Sequence, residues 1–154
     1  MKKLYLLLLT TTLLLSACSK DFLKSYENRI DGEWRLTDID RRGIGSSRPM
    51  PLKVGDHFIF GEDGSMTFTR TTGEVYDGSW DISREYIPGG CYTNEYGDYV
   101  CDSRRVKTLS LAGIDFNNQD YFSIHFDEMV FTGTNRFKAF IYEGGKTYIF
   151  RFRR

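Results

Sequence analysis

Three cysteines, two histidines and a few paired carboxylates carry whatever side-chain chemistry this chain of 154 residues can do. Cys18 follows Leu15-Ser16-Ala17, and the four residues have the form of a lipobox, small residues ahead of a cysteine whose sulfur takes a lipid. Spending Cys18 on a lipid leaves Cys91 and Cys101 as a pair. Outside a reducing cytoplasm, two thiols in a polar stretch rich in Gly and Tyr are expected to join as a disulfide. Closing that loop should contribute roughly 2 to 3 kcal/mol through chain entropy. His57 and His125 stand alone in separate strand-like runs. They mark neither a structural zinc site, which needs about four ligands at set spacings, nor a nucleophile with a base and an orienting group. Glu62 with Asp63, and Asp127 with Glu128, read as turn formers rather than an acid/base pair. Glu95, Asp98 and Asp102 lack the dense Asp/Asn/Gly spacing of a calcium loop. The expectation is a protein that is not an enzyme and holds no metal or cofactor.

Stepping outward from Cys18, Lys2 and Lys3 precede an uncharged run from Leu4 to Leu15. That run is too short for a membrane span, which needs roughly 20 apolar residues, so residues 1–17 are expected to be a removed lipoprotein signal peptide. Lys2 and Lys3 leave with it, and the balanced 21 basic and 21 acidic groups tip toward acid by two. With no cluster of Lys and Arg, nothing offers nucleic acid the basic stripe its phosphates demand. Ser19 rather than Asp follows the lipidated position, which resembles lipoproteins passed on to an outer membrane. Ser19-Lys20-Asp21 also looks somewhat like the export signals of surface lipoproteins, and the side of the membrane stays open. Residues 18–31 form a lipidated tether in which Phe22, Leu23, Tyr26 and Ile30 suit one or two turns of helix with an apolar stripe. The membrane is thus one partner, reached through the anchor.

From Glu33 onward the apolar residues recur at period two, the mark of strands with one buried face. Trp34, Leu36 and Asp38 share a face in the first. Phe58 with Phe60, Met66 with Phe68, and Tyr76, Trp80 and Ile82 do so in the next three. Leu109 with Leu111 follow, then Phe122, Ile124 and Phe126, then Phe137, Ala139 and Ile141, and last Tyr148, Phe150 and Phe152. Gly61-Glu62-Asp63-Gly64, Thr71-Thr72-Gly73 and Glu143-Gly144-Gly145-Lys146 supply hairpin chemistry between runs. Eight or nine short strands so connected predict one antiparallel all-β domain over residues 32–154, a barrel or a sandwich. Two connections exceed hairpin length. Arg41 to Gly55 reads as a flexible or Ω-type loop, and Pro88 to Ser103 as a second loop carrying the cysteines.

Gly32-Glu33-Trp34, Phe58-x-Phe60-x-x-Asp63-Gly64-Ser65, Gly78-Ser79-Trp80-Asp81-Ile82 and a closing strand rich in aromatics and arginines resemble the small lipocalin-like (calycin-type) lipoproteins of Bacteroides-type bacteria. The resemblance covers about residues 31–154. It implies an up-and-down β-barrel with Trp34 plugging one end and an arginine of the last strand, Arg151 or Arg153, lying across the indole. It also implies that Arg41 to Gly55 is a lid over the open mouth, while the Pro88 to Ser103 insert departs from the family's pattern.

Two functional readings follow. In the first, Phe58, Phe60, Phe68, Tyr76, Trp80, Phe122, Phe126, Phe137 and Phe150 line a barrel holding a small apolar or aromatic ligand. An eight-stranded barrel has room for one such ligand or for its own side chains, and the same rings could simply fill it. In the second, Tyr92, Tyr96 and Tyr99 on the Cys91–Cys101 loop contact a protein partner in an outer-membrane complex, tyrosine offering amphipathic area at low entropy cost.

Overall fold

A computed structural model describes residues 25–46 and 49–154. The leader, Cys18, Phe22 and Leu23 lie outside the described residues. A short helix, α1 (Tyr26–Ile30), is followed by nine strands: β1 (Gly32–Arg42), β2 (His57–Phe60), β3 (Ser65–Thr69), β4 (Val75–Thr93), β5 (Tyr99–Asp115), β6 (Asp120–Phe126), β7 (Glu128–Gly133), β8 (Arg136–Glu143) and β9 (Lys146–Arg153). They form one antiparallel sheet in the order β6-β5-β4-β3-β2-β1-β9-β8-β7. Strands consecutive in sequence pair antiparallel, except β6 and β7, and β1 joins the two halves by also pairing β9.

The expected barrel is not closed by hydrogen bonds: β6 and β7, consecutive in sequence, end the sheet on opposite sides and share no ladder among the described residues. Only Asp127 connects them. One residue is too few for the two-residue turn that a paired hairpin uses, and the Asp127 carboxylate accepts the Tyr142 amide at 2.7 Å, turning the chain toward β8. Ring contacts nonetheless reach across the fold, from Phe126 of β6 to Phe150 of β9 at 5.2 Å.

The inward residues form one aromatic core. Phe58 stacks on Phe68 at 4.6 Å, Phe137 on Phe152 at 4.4 Å, and Trp34 meets Phe137 edge-on at 4.7 Å. Each fully buried large side chain of this kind stabilises by about 1.5 to 3 kcal/mol. Gly32 takes φ +102° where the chain leaves α1 and enters β1, a conformation open to glycine. That turn lets α1 cover Trp34, whose indole N–H donates to the Ile30 carbonyl at 2.5 Å.

Four expectations need correction. Asp38 does not share the core face, because a bulge between Leu36 and Asp38 shifts the register. Ile39 packs on the core instead, and Asp38 turns outward to Arg151. The arginine over Trp34 is neither Arg151 nor Arg153 but Arg154, 4.6 Å from the ring centroid. Side chains opposite the inward Phe150 and Phe152 point away from the indole, whereas Arg154 follows the strand's last residue and folds back. There it also donates to the Arg29 carbonyl at 2.9 Å and to that of Asp31. The Arg41–Gly55 segment is not free throughout: Leu52 is buried in the core, and Gly55 bonds back to the Leu36 carbonyl at 2.7 Å. Asp56, 1 % exposed, fixes that end by accepting the Lys53 and Thr71 amides. Finally, Pro88 to Ser103 is not a loop. The β4–β5 ladder runs through it, with a bulge between Pro88 and Cys91 where proline has no N–H to give.

Candidate functional site

The β4–β5 ribbon outgrows the sheet that holds it. On one side β3 pairs β4 only as far as Ser79, and on the other β6 pairs β5 only from Leu109. Beyond that point the two strands continue, paired to each other, to Thr93 opposite Tyr99. Ser83 to Thr93 spans about 33 Å at a strand's rise of roughly 3.3 Å per residue. The reversal at the tip is organised by Asn94, whose side-chain oxygen accepts the Tyr96 and Asp98 amides at 3.0 and 2.9 Å. Gly97 supplies the positive φ, +88°.

An isolated two-stranded ribbon is marginally stable in water, and three braces replace the missing core. The first is the Cys91–Cys101 disulfide between residues directly opposite in the ladder. The second lies at the base, where Arg104 grips Glu128 through both guanidinium nitrogens, one at 2.7 Å, and Tyr142 donates its hydroxyl to the same carboxylate. Glu128 is 7 % exposed. Burial alone would raise its pKa, but the bonds from Arg104 and Tyr142 outweigh that and hold it below the usual value. Tyr142 is pushed up to about 12, by burial first and by its bond to Glu128 second. A bidentate pair of this kind also fixes direction. The third brace is Lys107, 3.1 Å from Glu27 and over the ring of Tyr26, which ties the ribbon to α1.

The tyrosines of the arm are exposed: Tyr92 by 51 %, Tyr96 by 82 % and Tyr99 by 76 %. Alternation puts Tyr99 with the disulfide on one face of the ribbon and Tyr92 with Val100 on the other, while Tyr96 stands in the tip. Glu95, Asp98 and Asp102 surround them, all exposed.

The residues expected to line a ligand barrel are brought together, but onto one another. Phe58, Phe60, Phe68, Tyr76, Phe122, Phe126, Phe137 and Phe150 are buried core members. Phe122 lies 4.6 Å from Phe68 and 5.9 Å from Tyr76. Trp80 is half-buried and donates its indole N–H to the Gly61 carbonyl at 3.0 Å. Tyr76 gives its hydroxyl to Asp120 at 2.6 Å, and that bond, with burial, pushes its pKa up to about 12. His57 and His125 are far apart in use: His57 sits 3.8 Å from Glu33, while His125 is exposed and meets Ser110 at 2.9 Å. Among the described residues no three His, Cys, Asp or Glu side chains form a metal-holding group.

Reading the sequence missed Arg104, Glu128 and Tyr142 of the brace, and Tyr86, a further exposed tyrosine on the ribbon opposite Arg105. Tyr86 had a signal, since Ile82, Arg84 and Tyr86 continue the period-two pattern past the apparent strand end. Glu128 had none, because a carboxylate beside Asp127 looks like a turn until its partner 24 residues away is known. Compared with known proteins, the chain matches no family model, no curated protein and no solved structure.

Proposed function

We propose that this chain is a non-enzymatic, lipid-anchored docking protein of an outer-membrane assembly: a lipocalin-like, barrel-type body carrying a pre-ordered arm that binds a partner protein. The anchor in this reading is Cys18, exposed when residues 1–17 are removed. The observation that carries it is the set of exposed tyrosines on a ribbon fixed by a disulfide and by the Arg104–Glu128 pair. Exposed aromatics that are already ordered lose little entropy on binding, which is how interface anchors gain affinity. Glu95, Asp98 and Asp102 around them suit a partner with a basic rim, since complementary charge speeds and selects encounter. The reading in which the interior holds a small ligand draws less support, because the inward rings spend their faces on each other.

A photo-crosslinker placed at the exposed Glu95 of the arm in the native membrane tests this. It should trap one defined protein, and replacing Tyr92, Tyr96 and Tyr99 together by serine should abolish the adduct while the melting temperature holds. An adduct that survives those replacements would remove the arm from the account.

A further inference from the structure

At the base of the arm, cations gather on the face that continues the core side of the sheet. Arg84 stands directly opposite Lys107, and Arg105 is two residues along on the same face, opposite Tyr86. Like charges directly opposite each other destabilise an antiparallel pair, so the free protein carries a repulsion here. Lys107 is answered by Glu27. The Arg84 and Arg105 side chains are exposed and have no hydrogen-bond or ion-pair partner among the described residues. These groups line a surface hollow of about 400 Å³ shared with Tyr26, Val106, Met129 and Val130. Glu128 also reaches it, but its two oxygens are taken by Arg104 and Tyr142. The hollow therefore offers two uncompensated cations beside an apolar wall, the combination that fits an anion carried on an apolar body.

We propose that this hollow binds the phosphate of an anionic lipid headgroup, with Arg84 and Arg105 as its ligands. The source follows from the chain's course: eight residue steps separate Cys18 from Tyr26, at most about 28 Å of extended backbone. A lipid on Cys18 would thus keep α1 and the hollow within reach of headgroups. To that extent the site rests on the lipid-anchor reading. It holds the base of the arm against the bilayer and sets the arm's angle to the membrane.

Native mass spectrometry of the protein extracted in nonionic detergent tests both. Phosphatidylglycerol should add at least tenfold more than phosphatidylcholine at equal concentration. That preference should fall to near one in Arg84→Gln/Arg105→Gln, persist in Arg84→Lys/Arg105→Lys, and persist in the exposed control Arg41→Gln/Arg42→Gln. Equal uptake of the two lipids by the native protein, or a preference unchanged in the glutamine variant, overturns the site. Inorganic phosphate binding as well as phosphatidylglycerol overturns the headgroup as its source. The same spectra report the mass of acyl groups on Cys18, so loss of the anchor reading with selectivity intact is distinguishable from loss of the site with the anchor intact.

Discussion

The body and the arm share two strands, yet different contacts hold each of them in order. Between Tyr76 and Ile82 on β4, and between Leu109 and Leu111 on β5, alternate residues enter an aromatic core. A few residues further on, the same alternation faces water on both sides, and order depends on a disulfide, a bidentate ion pair and one lysine. Period-two patterning is therefore enough to make a ladder, and the surroundings decide what that ladder is for. Buried, it becomes a scaffold; bare and braced, it becomes a surface. The two regions should accordingly fail separately.

The largest effect should come from the body. Phe58→Ala removes a ring stacked on Phe60 and Phe68 and edge-on to Phe152. A loss of about 3 to 5 kcal/mol is expected in denaturant titration, with the whole sheet unfolding as one unit. Next is Gly78, at the point where the ribbon is still inside the sheet. A Cβ there would meet the Ala112 carbonyl oxygen at 1.9 Å and the Gly113 Cα at 2.5 Å. Gly78→Ala should cost about 1 to 3 kcal/mol through overpacking, and arm and body should loosen together, measured as a shared fall in melting temperature.

Smaller effects should separate the regions by pH. Tyr76 belongs to the body and Tyr142 to the arm's base, and both have folded-state values raised to about 12. A raised tyrosine keeps its proton more firmly when folded, so its contribution is complete below about 10 and is lost as pH rises toward 12. Glu128 runs the other way: its lowered value gives stability above the usual 4.5, lost as pH falls through the folded value. Tyr76→Phe should therefore flatten part of the alkaline loss of global stability. Glu128→Gln should flatten part of the acid loss, and should quicken amide exchange near Arg104 more than in β1. The smallest change is His125→Ala on the exposed sheet face, within about 0.5 kcal/mol by thermal melting.

Much of the body was legible because its signals are local. Asp63-Gly64 makes a turn in which the Asp63 carboxylate accepts the Ser65 amide at 2.9 Å, and alternation picked out nearly every core residue. The bulge at Asp38 escaped because one extra residue inverts parity without altering composition. Arg154 escaped because alternation stops informing where the strand ends. The arm was read as a loop for a physical reason: Pro88, Gly89 and Gly90 are residues that usually end strands, and here a bulge absorbs them while the cysteines hold the register. Its tyrosines and disulfide could be named from sequence, whereas the Arg104–Glu128–Tyr142 brace is made by tertiary contact alone.

Amide hydrogen exchange on the oxidised protein and on Cys91→Ser/Cys101→Ser tests the separation most directly. With the disulfide, the ladder amides of residues 91–93 and 99–101, beyond the Arg104–Glu128 brace, should be protected. Without it they should exchange at nearly the rate of free peptide, while β1, β8 and β9 keep their protection. Arm protection that survives loss of the disulfide, or body strands that loosen as much as the arm, would contradict the account.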